Sequence, residues 1–375
     1  MPANARPLRR GWTTGACATA AAKSAYAALL TAEFLDPVAI TLPRGEQPSF
    51  ALAAAWHDAD AATAGIVKDA GDDPDVTHGA LVLATVRIAP AGSGVIFRAG
   101  KGVGTVTRPG LPIPPGEPAI NPVPRKMIRD AIAEVARQHG APGDVTVEIA
   151  IADGEALAAR TLNARLGIVG GLSVLGTTGI VVPYSCAAWI HSIRSGIDVA
   201  RAIGLTHIAG STGTGSEAAV QKLYGLPESA LIDMGDFVGG MLKYLRAHPL
   251  PRVTIAGGVA KMTKLAQGLL DLHAKRGTVD SAALVAFAER AGGSFALRER
   301  IVAANTAADV FDHAAQEGIA LGDVVAGAAW QTAARVIEDT EILLEVVLFD
   351  RDGRLAGRAP FAPAHGLSPS RKRRR

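Results

Sequence analysis

The sequence predicts a two-domain α/β protein, an α+β domain followed by a parallel-sheet α/β domain. Three observations carry this. The chain has 375 residues, 49% of them hydrophobic, which is enough for two packed cores. From about Val38 to Thr107, short β-rich runs such as "ALVLATVRIA" and "GVIFRAG" are broken by Gly, Pro and Asp, the pattern of a mostly antiparallel sheet. Beyond about Pro183, short apolar runs alternate with amphipathic ones, the grammar of parallel strands joined by helices. The expected boundaries are 1–183 for the first domain, 184–358 for the second and 359–375 for a disordered basic tail.

The first element is a helix in "WTTGACATAAAKSAY", residues 12–26, prefaced by two threonines and a glycine. After the β-rich runs comes "NPVPRKMIRDAIAEVARQHG". Here Val123, Met127, Ile128, Ala131, Ile132 and Val135 share one helical face, Asn121 is placed to cap, Pro122 or Pro124 suits the first turn, and Gly140 ends the helix. A strand, "VTVEIAIA", follows. Leu166 to Ile193 lacks Asp, Glu, Lys and Arg and is long enough to cross a bilayer. Its glycines, among them Gly167, Gly170, Gly176 and Gly179, instead predict buried strands joined by tight turns. The second domain reads as a helix in "SCAAWIHSIRSGIDVARAIG", a strand at "THIAG", a helix from Ser216, a strand at "SALIDM" and a helix from Asp236. A strand at "RVTIAGG", a helix from Ala260 and further helices follow, and a hairpin turning at Asp352 and Gly353 closes the chain.

The formal charge is +3, but Arg371 to Arg375 contribute five positive charges, so the remainder is slightly acidic. A terminal run of like charge reads as a solvated end, and with only 5% aromatic residues no stacking platform accompanies it, so no nucleic-acid partner is expected. No membrane partner is expected either. Two cysteines, Cys17 and Cys186, and the lack of an apolar run after the first arginines point to a reducing, cytoplasmic setting. Oligomeric state stays open, a homo-oligomer included.

Three segments carry candidate chemistry. In "THIAGSTGTGSEAAVQKLYG", Gly210, Gly213 and Gly215 lie between a strand and a helix, which can bring backbone N–H groups to an anionic or nucleoside-bearing ligand. Asp233, at the end of the next strand, could meet ribose hydroxyls. The spacing is not that of a dinucleotide fingerprint, and such glycines also serve plain close packing. "KDAGDDPDVTHGA" gathers Lys68, Asp69, Asp72, Asp73, Asp75 and His78, a set open both to a divalent ion and to ordinary turn chemistry. "GKGVGTVTRPGLPIPPGEPAINPVPRK" is too long for a mere connection and is flanked by Lys101, Arg108, Arg125 and Lys126, which suits an acidic ligand or a solvated excursion.

Together with "LNARLGIVGGLSVLGTTGIVVP" and "MGDFVGGML", these segments resemble the cobalt-precorrin-5B C1-methyltransferases of cobalamin biosynthesis, known as CbiD, from about Leu8 to Phe349. The resemblance implies transfer of a methyl group from S-adenosyl-L-methionine to carbon 1 of a ring-contracted, cobalt-carrying tetrapyrrole, giving cobalt-precorrin-6A. The cobalt would enter with the substrate, so no protein metal site is implied. One departure is Ala274, where a serine would be expected after the histidine of "LDLHAKRG". A non-catalytic corrinoid carrier or assembly factor is the alternative from another class.

For that chemistry, positioning of donor and acceptor outweighs acid catalysis. Asp72, Asp73 or His78 is the expected base for a proton released from the macrocycle. The substrate's carboxylates are expected on Arg9, Arg10, Lys68, Lys101, Arg125 and Lys126, and at the helix start, where Thr13 or Thr14 caps and Gly15 gives room. An ordinary capped helix packing its alanines is the other reading of that start. Cys17 on the first turn could have a lowered pKa, or be a buried thiol.

Overall fold

The structure, a computed structural model, describes residues 7–274 and 276–365, and the chain divides into two compact units between Cys186 and Ala187. In the first unit, helix α1 (Thr14–Thr31) is buried on every side from Thr14 to Ala28. Small side chains let it lie between helix α2 (Pro122–His139) and a five-stranded sheet. The strands are β1 (Ala54–His57), β2 (Ala61–Val67), β3 (Leu81–Ile88), β4 (Val95–Ala99) and β5 (Val145–Ile151), in the order β1-β2-β3-β5-β4. Only the β5–β4 pairing is parallel. Strand β5 returns after α2 and inserts between β3 and β4, and in it Val145, Val147, Ile149 and Ile151 are buried while the intervening residues are half-exposed.

Helix α2 presents the expected face, with Met127, Ile128, Ala131, Ile132 and Val135 buried, and it ends at Gly140 in the left-handed region, φ 63°. Asn121 stands at the N-cap, but its side chain makes no capping bond. Pro122 at the first helical position removes one of the donors that such a cap would serve. The uncharged stretch from Leu166 forms short strands and turns, including Ile168–Val169, Gly171–Leu172 and Ile180–Val181. Among the described residues no helix is long and apolar enough to cross a membrane.

The second unit begins within α3 (Cys186–Ala202) and then alternates: β6 (His207–Ser211), α4 (Thr214–Tyr224), β7 (Leu231–Asp233), α5 (Val238–Ala247), β8 (Arg252–Gly258) and α6 (Val259–Ala266). Among the described residues four further helices lead to β9 (Leu343–Phe349) and β10 (Leu355–Pro363). The sheet order is β7-β6-β8-β9-β10, parallel except for the final hairpin. Val220 of α4 packs on Ala209, Leu231, Ala256 and Val347 on one face of the sheet. Ile193, Ile197, Met241, Leu242, Met262 and Leu265, from α3, α5 and α6, pack in a separate core with the other strand residues. Strand order thus reverses between β6 and β8, and the chain leaves those two strands towards opposite faces. Ligands of open α/β sheets bind in the crevice at such a point.

Strand β10 corrects the expected start of the tail at residue 359. Residues to Pro363 pair with β9, and Phe361 packs edge-on against His207 with ring centroids 5.3 Å apart. In the same layer Glu345, fully buried, accepts from Tyr224 Oη (2.5 Å), Thr254 Oγ1 (2.8 Å) and Arg358 Nε (2.8 Å). Every oxygen of this buried charge is thus satisfied. The rest of the predicted tail, from residue 366, lies outside the described residues.

Candidate active site

The acidic segment forms a loop closed at its mouth by backbone bonds from Lys68 N to Ala80 O and from Gly79 N to Lys68 O. Lys68 is only 1% exposed, and its ammonium donates to Asp75 Oδ2 at 2.6 Å. That removes Lys68 from the expected set of substrate cations: it holds the loop from inside. Burial raises the pKa of Asp75, but the Lys68 charge and the bonds from Lys68 and Thr77 outweigh it, and the net shift is downward.

Arg9 is tied to the same loop. Its N–H donates to Asp72 Oδ2 at 2.6 Å, and its guanidinium grips Asp69 with both terminal nitrogens, Nη2 at 2.9 Å. The Arg9 bond, then the Gly71 N–H, hold the Asp69 carboxyl down to about 2. A carboxylate with a lowered folded-state pKa stabilises above its unfolded pKa and loses that contribution as pH falls through the folded value. Asp69→Asn should therefore lower stability by a small, constant amount above about pH 5, and the gap to wild type should close as pH falls towards about 2. Paired denaturation curves across that range measure it.

His78 Nδ1 accepts from Ala70 N at 3.1 Å. The neutral ring then carries its proton on Nε2, so His78 faces its surroundings as a donor, and the expectation of a base there is corrected. Asp73 Oδ1 accepts from Tyr184 N at 2.8 Å. Asp72 and Asp73 each commit one carboxylate oxygen to a backbone N–H. Among the described residues no group of three or more His, Cys, Asp or Glu side chains is placed to hold a metal ion.

The start of α1 is an interior feature. Thr13 caps, accepting from Ala16 N at 3.2 Å, while Gly15 N donates to Leu175 O at 3.1 Å. Thr13, Thr14 and Gly15 are buried. A Cβ on Gly15 would lie 2.6 Å from Pro124 Cγ, so this glycine makes room for α2, and the expected carboxylate site at Thr13, Thr14 and Gly15 gives way to the capped, packed helix. Burial of Cys17 pushes its thiol up to about 12, which leaves a protonated core cysteine.

Arg125 is likewise occupied. It donates from Nε to Ile120 O (2.8 Å) and from Nη2 to Pro118 O (3.0 Å), pairs with Glu117 at 3.1 Å and lies over the Phe97 ring. It fastens the Gly-Pro loop to α2 and is not an open carboxylate receptor. Arg125→Glu is expected to cost about 2 kcal/mol or more of stability, through carbonyls left unpaired and like charge beside Glu117, as thermal melting would show. Lys126 is exposed and paired with Asp130 at 2.6 Å. Arg10 and Lys101 are exposed and make no ion pair among the described residues.

In the second unit the three glycines of "GSTGTG" separate by role. A Cβ on Gly210 would lie 2.4 Å from Met241 Sδ, so that glycine serves the core, and its expected cofactor role is corrected. At Gly213 and Gly215 an added Cβ would meet nothing within 4 Å, so open space lies over the turn and the first residues of α4. Ser211, at the floor of the turn, is fully buried and its Oγ has no hydrogen-bond partner among the described residues. Asp233 stands opposite Ser211 in the β6–β7 register. Beside them Lys261 Nζ donates to Thr212 O at 2.8 Å and pairs with Asp236 Oδ1 at 3.1 Å. Sequence reasoning missed Ser211, Asp236 and Lys261; their one signal was position, each within three residues of a predicted strand end.

A two-unit α/β protein with a doubly wound second unit is the class these features define. Within it the chain belongs to the CbiD family: the CbiD profile matches residues 1–183 and the CbiD C-terminal domain profile matches 271–360. It is 63% identical to a cobalt-precorrin-5B C(1)-methyltransferase of Bradyrhizobium sp. over 98% of both chains. A relative of the same name from Agrobacterium fabrum is 60% identical over 99% of this chain and 98% of its own. Among solved structures, a cobalamin biosynthesis protein (cbiD) from Archaeoglobus fulgidus is 28% identical, covers 72% of this chain and 83% of its own, and superposes with a TM-score of 0.40.

Proposed function

We propose that this chain transfers a methyl group from S-adenosyl-L-methionine to carbon 1 of cobalt-precorrin-5B, giving cobalt-precorrin-6A in cobalamin biosynthesis. Relatives carrying that name match nearly its whole length at 55 to 63% identity. The observation in the fold that supports it best is the open turn at Gly213 and Gly215, above an unpartnered Ser211 hydroxyl, where the strand order reverses. Turn and helix start offer N–H donors and Asp233 a carboxylate acceptor for ribose hydroxyls, a combination that suits a nucleoside.

The bound nucleoside supplies an electrophilic methyl group. The chain's own tasks are to hold the two reactants in line, to exclude water and to accept any proton released. In the first unit Asp72 or Asp73 takes that proton on its uncommitted oxygen, and Arg10 and Lys101 meet macrocycle carboxylates. Cobalt belongs to the substrate.

Incubation with methyl-labelled S-adenosyl-L-methionine and cobalt-precorrin-5B, followed by nuclear magnetic resonance of the isolated corrinoid, tests this. Label on carbon 1 is expected. A corrinoid that binds but gains no label would identify a carrier instead.

A further inference from the structure

The turn after β7 folds over the end of β6: Met234 N and Gly235 N both donate to Ser211 O, at 3.0 and 3.1 Å. This places Asp236 beside Lys261, which stands in the first turn of α6 and reaches across to Thr212 O. The pair is oddly satisfied for its position. Asp236 Oδ1 is shut off from solvent and, although 3.1 Å from Lys261 Nζ, lies outside hydrogen-bonding angle to it. The Lys261 side chain remains 39% exposed and that of Asp236 23%, so one face of the pair is open. A buried carboxylate oxygen without a hydrogen bond is costly, and a lysine ammonium whose hydrogen-bond acceptor is Thr212 O has further N–H donors to give. A Cβ on Gly258, the N-cap residue of α6, would again meet nothing within 4 Å, so the space beside the pair is open too.

We infer that Lys261 and Asp236 recognise the amino-acid end of the methyl donor, Lys261 its carboxylate and Asp236 its ammonium. This rests on the cofactor site proposed above and adds its specificity: the ligand must be a nucleoside bearing a zwitterion. A phosphate-bearing nucleotide would suit Lys261 but set its anion against Asp236. A nucleoside lacking the amino-acid end would leave the pair as it stands. The fully buried, unpartnered Ser211 hydroxyl at the same strand end is an independent mark of a ligand site there.

Calorimetric titration with two ligands separates the outcomes. S-adenosylhomocysteine carries the zwitterion and 5′-methylthioadenosine does not. Wild type should bind the first more tightly. Lys261→Met and Asp236→Asn should each weaken S-adenosylhomocysteine at least about tenfold, the loss of one charged hydrogen bond, and leave 5′-methylthioadenosine unchanged. Lys261→Arg should recover part of the loss, and unchanged melting temperatures would show that the variants fold. Equal weakening of both ligands, or none, would overturn the assignment to the amino-acid end. Absence of S-adenosylhomocysteine binding by wild type would overturn the cofactor site itself.

Discussion

Lys68→Met is expected to lower the stability of the protein by about 3 kcal/mol and to abolish most activity. The ammonium it removes is buried and bonded at 2.6 Å to Asp75, and deleting one member of a buried pair leaves the other charge uncompensated, a loss of about 3 to 5 kcal/mol. The lower end applies because the Asp75 side chain is 25% exposed and water can reach it. Asp75→Asn in the Lys68→Met background should restore much of the stability, since asparagine keeps an acceptor for Thr77 N and Thr77 Oγ1 without the orphaned charge. Activity should stay low in the double variant if Asp72 and Asp73 need the loop held as Lys68 holds it. Denaturant titration and turnover, measured on the same three proteins, check both statements.

Gly213→Val is expected to do the opposite: to leave the fold alone and block the cofactor. Gly213 has φ 165° and ψ 171°, an extended conformation open to valine, and an added Cβ meets no atom within 4 Å. Stability should change by no more than about 0.5 kcal/mol, as for a surface substitution. Affinity for S-adenosylhomocysteine should fall at least about 30-fold, roughly 2 kcal/mol, because in the proposed site the branched side chain would stand where the ligand approaches the turn. Gly215→Ala sharpens the contrast. In the first turn of α4 it should gain up to about 1 kcal/mol of helix stability, so lost affinity in a more stable protein could not be put down to misfolding.

Much of the fold is legible in the sequence because it rests on local chemistry. The alternation of short apolar runs and amphipathic helices after Pro183 yields the parallel sheet, and Gly140 ends α2 because it alone there takes a left-handed φ without strain. The insertion of β5 beside β4 is non-local: "VTVEIAIA" reads the same whether its neighbour runs with it or against it. The candidate site shows the same division. Glycines at a strand-to-helix turn mark a candidate ligand turn or a close-packed one, and which of them faces open space depends on Met241, thirty-one residues beyond Gly210. The cations are least legible of all. Lys68, Arg125 and Lys101 look alike in sequence, and only folding shows that the first two are bound to their own chain while the third is exposed.

A crystal structure of the protein with S-adenosylhomocysteine would test the placement of the cofactor most directly. The nucleoside is expected over the Thr212 to Gly215 turn, between the ends of β6 and β8, with its amino-acid end within about 3.5 Å of Lys261 Nζ and Asp236. Density for the nucleoside anywhere in the first unit, with the turn at Gly213 left empty, would contradict it.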